Sequence, residues 1–155
     1  MPLGRRHHAG RHQVETGEEG ADLRDPDEIL QEAAPTLDFT QPVALMLMGI
    51  LGHIEDDDEA RSIVKRLVDA VPSGSYLTMN DGTDTSAEVV EAARIWNQSA
   101  NPTYHLRSPD RIARFFDGLE LVEPGVVSPP RWRPEPSPSA LPAEIDSSCG
   151  VGRKP

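Results

Sequence analysis

Three groups of residues in this chain are of the types that do chemistry. His7, His8 and His12 are spaced closely enough for a transition metal, but the stretch around them has no hydrophobic period. Isolated histidines in a polar arm are ordinarily just solvated. The acidic run Glu55 to Glu59 has the charge for Ca²⁺ or Mg²⁺ but lacks the glycine-punctuated spacing of a calcium loop. It reads better as the negatively charged first turn of a helix. Gly150-Val151-Gly152 lies at the C-terminal end with no helix after it, so it cannot cradle a phosphate. The chain contains no G-x-G-x-x-G, no P-loop, no H-E-x-x-H and no G-x-S-x-G. No metal site is expected.

Position says more than motif. Gly49-Ile50-Leu51-Gly52-His53 and Asn80-Asp81-Gly82 each follow an apolar run that reads as a strand. Ligands of open α/β sheets bind beyond the carboxyl ends of such strands. Glycine lets a ligand approach the backbone closely, and His53 stands where a reacting proton would be handled. The alternative is a pair of ordinary turns with a capping histidine.

The elements that would position these residues are legible. Asp25-Pro26 offers an N-cap and a first-turn proline, so a brief helix is expected before Pro35, with Ile29, Leu30 and Ala33 inward. Val43 to Met48 is continuously apolar and closed by Gly49, as in a parallel strand covered on both faces. Ala60, Ile63, Val64, Leu67, Val68 and Val71 form one helical stripe, ended by Pro72 and Gly74. Ser75 to Met79 predicts a second strand, stopping at Asn80-Asp81-Gly82. Thr85 and Glu88 make a capping box for a helix burying Val89, Ala92, Ala93 and Trp96. A shorter helix is expected from Ser108-Pro109 to Phe116, a third strand over Leu119 to Val122, and a last short strand over Cys149 to Gly152. Strand and helix alternate, which is the pattern of a doubly wound α/β sheet.

Composition sets the outer limits. With 155 residues and 37% hydrophobic side chains, one core is affordable. Residues 1–20 read as a disordered arm. Residues 21–155 read as the domain, with a proline-rich loop at 128–146. The formal net charge of −11 repels phosphate backbones, which argues against nucleic-acid binding. Cys149 is the single cysteine, so a reducing cytoplasm is the expected location. The apolar run Val43 to Leu51 is shorter than the ~20 residues a membrane span needs, and no membrane partner is expected.

Four blocks resemble a bacterial family of S-adenosylmethionine-dependent methyltransferases. They are ADLRDPDEIL (21–30), PVALMLMGILGHIEDDDEARSIVKRLVDAVPSGSYL (42–77), RSPDRIARFFDGLELVEPGVV (107–127) and the closing GVGRKP. They follow the family's order and approximate separations. The resemblance implies a Rossmann-like class I methyltransferase fold, with a sheet ordered 3-2-1-4-5-7-6 and an antiparallel seventh strand. The run at Val43 is then strand four, Ser75 to Met79 strand five, Leu119 to Val122 strand six and Cys149 to Gly152 strand seven. It also implies S-adenosyl-L-methionine as cofactor and a small-molecule methyl acceptor. Asp22 would contact the adenine, with Leu23 packing on the ring. Met48, Gly49, Ile50 and His53 would line the methionine side, and His53 is the candidate general base.

The chain also departs from the family. Its helical cap, its glycine-rich loop after strand one and the acid ending strand two have no counterpart in these residues. The expected fold is therefore an N-terminally truncated half-sheet, 4-5-7-6, with residues 1–20 unrelated to the family. Two functions follow from the sequence: a methyltransferase with an incomplete cofactor site, or a non-catalytic fragment or half-domain that works with a partner. Strand four would be left as an unpaired apolar edge, so self-association through Val43 to Met48 is expected.

Overall fold

A computed structural model describes residues 20–136 and 141–155. The histidines at 7, 8 and 12, and nearly all of the arm, lie outside the described residues. Four strands form one sheet in the order β1-β2-β4-β3: β1 Ala44–Met48, β2 Tyr76–Gly82, β3 Glu120–Leu121 and β4 Ser147–Arg153. β1 runs parallel to β2, whereas β4 is antiparallel to both β2 and β3. That is the 4-5-7-6 arrangement implied by the resemblance.

The helices start where their caps dictate. α1, Pro26–Ala33, is capped by Asp25, whose side chain accepts from the Glu28 N–H. α2, Asp57–Ala70, is capped by Asp56, with Asp57, Asp58 and Glu59 in its first turn. This confirms the acidic run as helix N-terminal charge. Ala60, Ile63, Val64 and Leu67 of α2 are buried against Leu47, Leu77 and Met79 of the sheet, with Ile112, Phe115 and Phe116 completing the core. Those last three come from α4, Pro109–Ala113, and the 3₁₀ turn Arg114–Phe116. Phe116 lies across β4. A Cβ on Gly152 would stand 2.9 Å from its ring, and one on Gly150 would stand 3.0 Å away. The closing Gly-Val-Gly therefore serves close packing, which a side chain would disrupt.

Several expectations are corrected. β1 is covered on one face: Leu45 and Leu47 turn to the core, while Met46 and Met48 are 65% and 55% exposed. Strand alternation sends successive side chains to opposite faces, and none of the described helices covers the second face at β1. β2 continues through Asn80-Asp81-Gly82, because β4 pairs with those residues too. α3, Ala87–Trp96, is capped by Ser86; Thr85 instead donates to Asp146. No α3 side chain is fully buried and Trp96 is 63% exposed. Its inward side is Val89 and Ala93, half-buried between the N-cap Ser86 and the C-cap Asn97.

Candidate functional site

β1 ends in a tight loop. Gly49 takes a left-handed φ of +67°, which favours glycine, and its N–H donates to the Asn80 carbonyl at the end of β2. The 3₁₀ turn Leu51–His53 follows, and it is held from outside. All four carbonyls from Leu51 to Ile54 accept from distant residues. Arg107 donates to Leu51 O at 2.8 Å and to Ile54 O, the His105 N–H donates to Gly52 O at 2.7 Å, and Arg24 donates to His53 O at 2.9 Å. With all four carbonyls bound, the turn is held as a platform.

Arg107 is the centre of this arrangement. Only 1% of its side chain is exposed, yet its charge is matched: Nε donates to Asp57 at 2.7 Å, and the Phe115 ring lies 5.6 Å below. Asp57 also accepts from Arg111 at 2.6 Å. The Arg111 bond, joined by that from Arg107, holds the Asp57 carboxyl below the usual carboxylate range.

The second half of the platform comes from the segment joining α3 to α4. Asn97 grips it twice, donating to Tyr104 O at 2.7 Å and accepting from the Tyr104 N–H at 2.8 Å. The Tyr104 ring lies on Gly52, so close that a Cβ there would fall 2.4 Å from it. The Tyr104 hydroxyl accepts from the Gly82 N–H at 3.0 Å and donates to Asp81 Oδ1. Asp81 is buried at 2% exposure, and its Oδ2 has no partner. Burial pushes the Asp81 carboxyl up. Burial, then the bond to Asp81, pushes Tyr104 up to about 12.

This pair sets a pH dependence of stability. A carboxyl raised on folding binds its proton more tightly in the native state. The contribution of Asp81 to stability is therefore fullest below the unfolded value of about 4 and declines as pH rises through the raised folded value. Asp81→Asn keeps an acceptor for Tyr104 and removes the titration. Asp57 and the other depressed carboxylates titrate alike in both proteins, so the difference in urea midpoint between wild type and Asp81→Asn isolates Asp81. The wild type should lose ground to the variant as pH rises through the acid range, and a pH-independent difference would contradict the assignment.

The residues named from sequence fall into two connected places. Met48, Gly49, Ile50 and His53 share the loop after β1, with Ile50 39% exposed. Asp22 and Leu23 precede α1. Asp22 is exposed and accepts from the Arg24 N–H at 2.9 Å, and the Arg24 guanidinium reaches the His53 carbonyl, so one arginine joins both. The Leu23 side chain is buried in the core, which leaves only its backbone free toward a ligand. His53 is half-buried. Its Nδ1 donates to the Thr103 carbonyl at 2.8 Å, and its ring meets Tyr104 edge-on at 5.2 Å. Asn97, Tyr104 and Arg107 were not legible as site residues. The available signal was the polar Thr103-Tyr104-His105 cluster following Asn101-Pro102, with an arginine just ahead of the Ser108-Pro109 cap. Among the described residues, no group of three metal-ligating side chains is assembled, and no helix is long and apolar enough to cross a membrane.

A family model described as "S-adenosyl methyltransferase" matches residues 7–155. No curated protein matches the chain. A DUF574 family protein from Streptomyces avermitilis MA-4680 is 41% identical with a TM-score of 0.79, covering 87% of this chain and 53% of its own. A Thermobifida fusca YX protein is 35% identical with a TM-score of 0.76, covering 86% and 52%. An O-methyltransferase family protein from Burkholderia thailandensis shares the fold at 17% identity and a TM-score of 0.52. The chain spans about half the length of the first two relatives.

Proposed function

The chain belongs to this S-adenosyl methyltransferase family, and on that premise we propose that it acts in S-adenosylmethionine-dependent methyl transfer to a small-molecule acceptor. The observation that carries the reading is the junction made by Arg24, which ties the Asp22 loop to the loop carrying Gly49, Ile50 and His53.

The residues present fit part of that cofactor. Asp22 offers an exposed carboxylate for the adenine amine. Gly49 has open space where a Cβ would project, so its backbone can be approached. Asn80, opposite Met48, carries a buried side-chain oxygen without a partner, which is the mark of a donor still to come. Exposed Met48 and Ile50 supply apolar surface. When bound, the cofactor supplies an electrophilic methyl group on a sulfonium. The chain aligns the partners and excludes water, and His53 handles the acceptor's proton. Asp22 is one of few polar anchors in this set, so affinity for the isolated chain is expected to be modest.

Asp22→Ala tests the reading. A hydrogen bond to a charged group is worth about 1.5–3 kcal/mol, so binding of labelled S-adenosylmethionine in equilibrium dialysis should weaken roughly ten- to a hundredfold. Unchanged affinity would remove Asp22 from the site.

A second reading is that of a half-domain acting with a partner. The edge of β1, unpaired among the described strands, and its exposed Met46 and Met48 favour it, a second copy of the chain being the partner. The location proposed remains the cytoplasm, from the single cysteine.

A further inference from the structure

The contacts around His53 specify more than its place. A backbone carbonyl can only accept, so the 2.8 Å contact between His53 Nδ1 and Thr103 O requires the proton to sit on Nδ1. In the neutral imidazole the lone pair then lies on Nε2. Thr103 does not hold this alone. It is followed at once by Tyr104, whose backbone is gripped at both N–H and C=O by the Asn97 side chain and whose ring braces the His53 edge. The Thr103 hydroxyl is engaged with His105 Nε2 at 3.0 Å. From below, the His53 carbonyl is fixed by Arg24.

We propose that the segment Asn97 to His105 is a positioning element for His53. It locks the imidazole as the Nδ1–H tautomer and presents Nε2 as the acceptor atom. Resting on the methyl-transfer reading, this names the substrate class: acceptors that carry a proton to lose, a hydroxyl or a neutral amine. His53 Nε2 takes that proton as the acceptor heteroatom bonds to the methyl carbon and the carbon–sulfur electron pair returns to sulfur. The resulting imidazolium donates from both nitrogens, and its Nδ1–H stays on Thr103 O. Asn97, Thr103 and Tyr104 touch no substrate in this scheme; they act through His53.

The test needs no cofactor, so it can fail independently of the methyl-transfer reading. Two-bond ¹H–¹⁵N correlations of the imidazole rings, recorded above the histidine titration range, report the tautomer directly. Wild-type His53 should show a single Nδ1–H form. Asn97→Ala releases the grip on Tyr104 and should give a tautomer mixture at His53, while the amide spectrum stays dispersed. Tyr104→Phe keeps the Asn97 grip and the ring edge, and should leave the Nδ1–H form intact. If Asn97→Ala does not fold, the wild type and Tyr104→Phe still decide. An Nε2–H form or a mixture in the wild type overturns the proposal, as does an unchanged pure Nδ1–H signal in folded Asn97→Ala.

Discussion

Arg107→Met should destabilise the fold by about 3–5 kcal/mol, the usual cost of removing one partner from a buried charge pair. Methionine fills much of the same volume, so the loss is electrostatic and polar rather than a cavity effect. Two buried carbonyls, Leu51 O and Ile54 O, lose their Arg107 donor, and Asp57 keeps only Arg111. Against a typical total of roughly 5–15 kcal/mol, such a loss is about a fifth or more of the stability. In urea, where the slope is about 1–3 kcal/mol per molar, the midpoint should fall by roughly 1–5 M. Arg107→Lys should recover little, because an ammonium cannot form the planar fork that spans two carbonyls and a carboxylate. A loss under about 1 kcal/mol would show that the loop after β1 is held by something other than this side chain.

The second large effect is on association. β1 ends the sheet with its outer backbone groups unpaired among the described strands, and Met46 and Met48 expose a flexible apolar surface beside that edge. Such an edge is a template for another strand. The formal net charge of −11 opposes contact at long range, but it is screened beyond ~8 Å in physiological salt. We propose that the chain dimerises through β1, and sedimentation in the micromolar range should show it. Leu45 and Leu47 belong to the core face, so the informative substitution is Met46→Lys, which sets a charge on the open face without touching the packing. It should return the protein to a folded monomer whose urea midpoint no longer depends on protein concentration. A wild-type monomer would contradict the proposal.

The parts of the fold legible in the sequence are those with a local cause. Asp25, Asp56 and Ser108 announce helix starts because a side-chain oxygen satisfies an orphan N–H nearby in sequence. The stripe from Ala60 to Leu67 needs only helical periodicity. The sequence predicts only a short strand over Cys149 to Gly152, yet β4 runs from Ser147 to Arg153: its glycines lower strand propensity, and their reason, the Phe116 ring, lies more than thirty residues away in sequence. Of the α3 residues expected to be buried, Val89 and Ala93 do face inward, whereas Ala92 and Trp96 are exposed. Val90, Ile95 and Trp96 stand exposed, and the inward side of the helix leads to Asn97, which grips Tyr104.

The site divides in the same way. His53, Gly49 and Ile50 could be placed from the rule that ligands gather beyond strand ends, and Asp22 from the resemblance. What holds them could not. Arg107 reaches back more than fifty residues to the carbonyls of Leu51 and Ile54, and no spacing rule carries that distance. Leu23 is placed differently from what its type suggests. An apolar residue beside an acid fits an adenine pocket by type, yet the core lies closer and takes its side chain.

One measurement bears most directly on the account: titration of the ¹⁵N-labelled chain with S-adenosylhomocysteine, read amide by amide. The expected result is saturable binding weaker than about 1 μM, with shifts concentrated at Asp22, Leu23, Gly49, Ile50 and His53. No shift at millimolar ligand, or shifts centred elsewhere, would contradict the assigned site. Submicromolar binding would contradict the claim that these residues form only part of one.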